Sequence, residues 1–108
     1  MRTRYAKDGV TIGVGEIDNL PGSSQIAVFH SAFIRPDFRK GGHGFKAHVE
    51  RLEKAIALGY DFAICTVDVT NAAQVKILED NGWKLLQDFY STKTTHRVLI
   101  YGLKLTKE

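Results

Sequence analysis

The sequence predicts an α/β fold: one domain over residues 1–108, with a mixed sheet and two principal helices. Three observations carry this. Between Gln25 and Val69 the order is strand, loop, helix, strand, a βαβ unit that implies parallel neighbours and a right-handed crossover. A second helical segment runs from Asn71 to Gly82 and is followed by two strand-like segments. The chain has 108 residues, 44% of them apolar, enough for one core and too few for two. At this length the expected radius of gyration is about 13 Å, so a ligand the size of a nucleotide must lie along an edge or in a split of the fold.

The elements follow in order. Val10 to Ile17 alternates around Val10, Ile12, Val14 and Glu16, with Gly13 and Gly15 weakening it, and reads as an edge or early strand. Asn19-Leu20-Pro21-Gly22-Ser23-Ser24 is a turn, because proline presets one dihedral and glycine tolerates positive φ. Gln25 to Ile34 is its hairpin partner, and both of its faces are mostly apolar, as for a central strand covered on each side. Pro36 ends it. Arg39-Lys40-Gly41-Gly42-His43-Gly44 then bends into a helix whose apolar face is traced by Phe45, Val49, Leu52, Ala55 and Ile56, with Gly59 as its terminator. Phe62 to Val69 is a short apolar strand. Asn71 caps the second helix, in which Ala72, Val75 and Leu78 share a side. Trp83 to Tyr90 and Val98 to Leu105 form a closing strand pair around the polar turn Ser91 to Thr95.

Composition removes several classes. The charged fraction of 25% and aromatic fraction of 10% are ordinary for a globular protein, so disorder and collagen-like repeats are excluded. No apolar run approaches the roughly 20 residues of a membrane span. The basic N-terminus has no apolar stretch behind it and does not read as a secretory signal, so a cytoplasmic location is expected. The lone Cys65 agrees, since a secreted domain this small would want several cysteines. A net charge of +3 leans towards anionic ligands. Lys and Arg are dispersed among acids rather than gathered in a stripe, which argues against a nucleic-acid partner. Arg2, Arg4 and Lys7 read as a solvated tail.

The chemistry-bearing feature is the glycine-rich loop between strand and helix. A helix N-terminus there offers free backbone N–H groups and the positive end of the dipole, and glycines let an anion approach closely. No Gly-Lys-Ser/Thr follows, so it is not a nucleoside-triphosphate loop, and Gly41-Gly42-His43-Gly44 is not the dinucleotide GxGxxG. Arg39, Gly42 and Gly44 spell RxxGxG. Downstream, Asn71-Ala72-Ala73 leads through Leu78 to Gly82-Trp83.

Together these two pieces, spaced by one βαβ unit, resemble the signatures of the GNAT N-acetyltransferase superfamily, over Gln25 to about Trp83. The resemblance implies a mixed, bent sheet whose central parallel strands, Gln25 to Ile34 and Phe62 to Val69, splay apart to hold acetyl-CoA. Phe33, Ile34 and Arg35 would then supply main-chain bonds to the pantetheine arm, as in strand addition. Arg39 and Lys40 would add charge near the phosphates, amides from Gly41 through Gly42 and His43 to Gly44 would cradle the pyrophosphate, and Asn71 would touch the pantetheine. The reaction implied is direct attack of an amine on the thioester, a scheme that requires no metal.

The chain departs from the family where a tyrosine usually donates a proton to the leaving thiolate: Leu78 stands there. His30, placed on the central strand with the same facing as Ile34, is the candidate base for the incoming amine, its unperturbed pKa being near 6.5. Tyr90 is a stand-in for the missing acid. Against each stands a bland account. A strand histidine is ordinarily a hydrogen-bonded core or edge residue, Cys65 packs as a small hydrophobe, and Asp68 and Glu16 are strand-end charges or contacts for a cationic amine. The competing function is a CoA-binding module without turnover.

The resemblance also bears on the acceptor. Family members carry a further strand and a helical pair ahead of the Val10 region, where this sequence has about nine residues. The expectation is an acceptor site open to a protein, or completed by a second chain in a homodimer; a small-molecule amine is the other acceptor class.

Overall fold

The computed structural model describes residues 1–106. Six strands form one sheet: β1 (Arg2–Lys7), β2 (Val10–Asn19), β3 (Ile26–Ile34), β4 (Phe62–Asp68), β5 (Lys84–Tyr90) and β6 (Arg97–Lys104), in the order β1-β2-β3-β4-β6-β5. Two helices accompany them, α1 (His43–Ala57) and α2 (Ala72–Asp80), with a short 3-10 turn at Pro36–Phe38. β3 and β4 pair in parallel and the other neighbours are antiparallel, the arrangement a βαβ unit flanked by hairpins must give. The Cα radius of gyration is 13.9 Å. Among the described residues no helix is long and apolar enough to cross a membrane.

The N-terminal residues are not a solvated tail. Asp8 and Gly9, both at positive φ (52° and 80°), close a two-residue hairpin that lays β1 against β2 from Arg2↔Glu16 to Lys7↔Val10. Such turns match the right-handed twist of the strands they join. Arg2 is fixed by Glu16 (Nε to Oε2, 2.7 Å) rather than free. β2 is therefore internal, and β1 is the edge.

The helices lie together on one face of the sheet. Ile17, Phe29, Ala63, Cys65, Val67 and Tyr101 from the strands form a single buried cluster with Ala55 of α1, Leu78 of α2, and Trp83. The expectation that β3 is covered on both faces fails: Ile26 and Val28, on the helix-free side, are only half-buried. That side also carries Leu86 and Phe62 across Gly102, where a Cβ would sit 2.7 Å from Leu86 Cδ1.

Of the expected apolar face of α1, Ala55 is buried and Leu52 packs against the core, but the two ends of the stripe do not go inside. Phe45 and Ile56 are 42% and 54% exposed, whereas His48, Arg51 and Ala55 are buried, at the same three- and four-residue spacing. The reason is a polar cluster. Trp83 Nε1–H donates to His48 Nε2 at 2.9 Å in the core, and Phe29 sits edge-on to Trp83 with centroids 5.5 Å apart. That bond fixes the neutral tautomer with the proton on Nδ1, which has no partner among the described residues. Burial, with the neighbouring Arg51 charge, pushes the His48 imidazole down to about 4.

This sets a pH dependence. His48 is neutral when folded but takes a proton when unfolded below its ordinary value of 6.5, so its contribution to stability is complete above pH 6.5 and is lost as pH falls towards about 4. Chemical denaturation across that window is expected to show a loss on the order of 3 kcal/mol. His48→Gln, which keeps an acceptor for Trp83, should flatten that slope.

Candidate functional site

The parallel pairing of β3 with β4 runs from Ile26↔Phe62 to Phe29↔Cys65 and stops, although both strands continue. The cause is local to β3. Glu16 pairs with His30 and Val14 with Phe33, so three steps of β3 oppose two of β2. The extra residue is a β-bulge at Ser31, whose φ is 56°. Beyond it β3 turns away from β4 and leaves its far edge unpaired.

The bulge also changes which side chains share a face. Ile34 pairs with Gly13 and faces the helices with Phe29, while His30 shares the helix-free face with Glu16 and Phe33. The expectation that His30 and Ile34 share a facing is thereby corrected, since an inserted residue reverses the alternation.

On the helix side the parting strands open into a cleft of about 870 Å³ between α1, α2 and β3, lined among others by Ile34, Lys40, Gly42, Asn71, Gln74 and Ile77. Gly42 is the N-cap of α1 at φ 80°, its carbonyl accepting from Lys46 N–H at 3.0 Å. No side chain caps this end, so the first amides of α1 face the cleft without an internal acceptor. Gly44 lets α1 approach α2, because a Cβ there would lie 3.2 Å from Ile77 Cδ1. Lys40 is in the left-handed region at φ 58°, and Gly41 is close to extended. His43 is packed between the Tyr5 and Phe38 rings, with its Nδ1 buried and unpartnered among the described residues.

The remaining loop residues are placed as follows. Arg39 folds back on β3: its Nε donates to the Ile34 carbonyl at 2.9 Å and its guanidinium lies 5.1 Å from the Phe33 ring centroid. The Arg35 amide is engaged with the Ile12 carbonyl of β2, at 2.8 Å, and so faces away from the cleft. Asn71 caps α2 through Oδ1, accepting from Gln74 N–H at 3.2 Å, and lines the cleft as well. Leu78 is wholly buried in the core. Cys65 is also buried, which pushes its thiol up to about 11 and keeps it protonated.

Two histidine–carboxylate pairs stand on the helix-free side, near where the strands part. His30, the first residue beyond the last parallel pair, has Nε2 2.6 Å from Asp18 Oδ2 and Nδ1 2.9 Å from Ser31 Oγ. The His30 bond leads the causes that hold the Asp18 carboxyl below its ordinary value. At the end of β4, Asp68 accepts from the Thr70 hydroxyl at 2.6 Å and faces His96 Nδ1 at 3.1 Å. The Thr70 bonds chiefly lower its pKa, with His96 adding to them. His96 carries no local signal of this pairing, because it joins Asp68 only through the β4–β6 register. Tyr90 ends β5 opposite Arg97, with β6 between it and the gap, and the fold does not bring it to the cleft.

The cleft suits a long ligand with an anionic end: an uncapped helix N-terminus shaped by Gly42 and Gly44, an unpaired strand edge leading from it, and a parting of strands at the far end. These features fit acyl-CoA.

No protein-family model matches the sequence, and no curated protein matches it. Solved structures do. The chain is similar to the ribosomal-protein-S18-alanine N-acetyltransferase of Escherichia coli (TM-score 0.84, 14% identity, 100% of this chain and 70% of that one). It is similar to an N-acetyltransferase of Staphylococcus aureus (0.84, 16%, 97% and 67%). A Salmonella typhimurium protein solved with its cofactor acetyl-CoA also matches (0.80, 16%, 94% and 62%), and the chain thus spans less than two thirds of that protein's length. At these identities the likeness establishes the fold, and it is that of the GNAT N-acetyltransferases.

The loop geometry makes Gly42 and Gly44 unequal. Gly42→Ala places a Cβ in the left-handed region and should cost about 1–2 kcal/mol in urea denaturation. Gly44→Ala should cost less, because the only atom it crowds is the far end of Ile77.

Proposed function

We propose that this chain binds an acyl-CoA thioester in the β3–β4 cleft and transfers the acyl group, acetyl in the simplest case, to a primary amine. One observation carries the proposal: the parallel pair stops at Phe29↔Cys65 where β3 bulges, directly beyond a glycine-shaped, uncapped helix N-terminus. The bound thioester supplies the electrophilic carbonyl, and the protein positions the partners.

In this reading the amides after Gly42, with Lys40, hold the diphosphate, and Ala32 to Ile34 offer backbone groups to the pantetheine arm. Arg39 holds the Ile34 carbonyl and keeps the end of β3 in place. His30 is the base. With Asp18 accepting its Nε2–H, Nδ1 accepts from the Ser31 hydroxyl beside the bulge, on the helix-free side from which an amine would approach, and takes the amine proton directly or through that hydroxyl. Asp68 with His96 gives that side an acidic contact for a cationic amine. The acceptor class, protein or small molecule, and association with a second copy over the half-open Val28, Ile64 and Ile100 face belong to the same proposal.

A second reading rests on Leu78. A wholly buried leucine on α2 provides no proton for a leaving thiolate, which favours a chain that binds CoA without turning over.

Calorimetry with acetyl-CoA is expected to show binding, and Gly42→Trp is expected to abolish it; wild-type affinity in that variant would remove the loop from the site. Free-thiol release with a panel of amines separates transfer from mere binding. His30→Gln should lower turnover by about 10²-fold while acetyl-CoA affinity is kept. Light scattering that reports a monomer with full activity on a small amine would defeat the second-copy element.

A further inference from the structure

Arg51 is a charge without a counterion. It is 5% exposed on the buried face of α1, and no carboxylate lies within ion-pair distance of it among the described residues. Its Nε is buried and has no hydrogen-bond partner among the described residues. An arginine remains protonated in a protein, so this guanidinium carries its charge into the interior, where an unpaired ion is less stable than in water.

The chain has shaped its surroundings to seat it. The guanidinium carbon lies 5.6 Å from the Phe29 ring centroid. It rests flat on β2 at Gly15, where a Cβ would fall 2.7 Å from Cζ, so any other residue there would displace it. Phe29 is the last β3 residue paired with β4, which puts the charge at the apex of the parting strands. Arg51 also forms part of the wall between two spaces. One is the cleft, and the other is a cavity of about 340 Å³ between β1 and α1, lined by Thr3, Tyr5, Glu50 and Lys54.

We propose that Arg51, seated on Gly15 and Phe29, binds the carboxylate of a ligand that reaches the apex of the cleft. A planar guanidinium recognises a carboxylate in two-pronged fashion, and burial strengthens that bond. The carboxylate has two possible sources: the far end of a dicarboxylic acyl group on CoA, or a free carboxylate entering by the β1–α1 cavity. The first rests on the acyl-CoA reading above; the second does not.

Calorimetry with acetyl-CoA, malonyl-CoA, succinyl-CoA and free succinate tests this on the wild-type chain and on Arg51→Met. The expected result is that one of the carboxylate-bearing thioesters binds about tenfold or more tightly than acetyl-CoA, or that free succinate binds, and that Arg51→Met removes this gain. The gain is read on each protein as the ratio of the affinity for the carboxylate-bearing thioester to that for acetyl-CoA. Gly15→Ala, which leaves the charge but disturbs its seat, should reduce the same gain. A gain with the thioesters identifies the acyl source, and binding of free succinate identifies the cavity source. Equal affinity for all the thioesters with no succinate binding overturns the inference and leaves the acyl-CoA reading intact. Succinate binding without any thioester binding does the reverse. A gain that persists in Arg51→Met also overturns the inference.

Discussion

The bulge at Ser31 is the constraint on which the rest depends. One inserted residue on β3 ends the parallel pairing with β4, and it does so where both strands are still long enough to form walls. The same insertion reverses the alternation of side chains. Phe29 and Ile34 consequently both face the helices and line one side, while His30 and Phe33 face the other. A regular strand would have kept pairing with β4 to Asp68 and would have set His30 and Ile34 on the same face. The opening and its two-sidedness therefore have one origin, and the φ of 56° at Ser31 is its local cost, roughly 1–3 kcal/mol for a non-glycine residue.

Holding β3 in that shape falls to the antiparallel ladder with β2 and to α1. Two glycines of β2 serve this packing: Gly13 lies under Ile34 and Gly15 under Arg51. In the sequence they look like weaknesses in a strand, because glycine lowers strand propensity. In the fold they are the places where large side chains lie on the backbone. β1 then covers the outer edge of β2.

What was legible follows from this. The βαβ order, the glycine loop and the Asn71 cap depend on local turn chemistry and on periodicity, and all three stand in the structure. Arg2, Arg4 and Lys7 hide β1, because they look solvated until the strand's pairing with β2 is known, although Asp8-Gly9 is a strong hairpin signal. The buried stripe of α1 is only partly legible, through Leu52 and Ala55, for a related reason. Hydrophobicity points to Phe45 and Ile56, and nothing local announces that His48 and Arg51 go inside. Their burial is decided by Trp83 and Phe29, 35 and 22 residues away along the chain. The bulge has no local signature at all, since serine at positive φ is not a pattern. The candidate base could be named from the sequence, but its facing and its carboxylate could not.

Phe29 joins these threads. Its ring touches His48 and Trp83 on one side and carries the Arg51 guanidinium on another, while its backbone makes the last parallel pair with Cys65. Polar groups inside a core are stabilising only when their partners are fixed, and here the Trp83–His48 bond is fixed while His48 Nδ1 and Arg51 Nε have no partner among the described residues. An apolar stripe on α1 would have packed the same ring without those unmet groups. Both residues line the cleft, close to the point where β3 and β4 part. The same ring therefore ties the end of the parallel pairing to the two polar residues that α1 brings to the cleft wall.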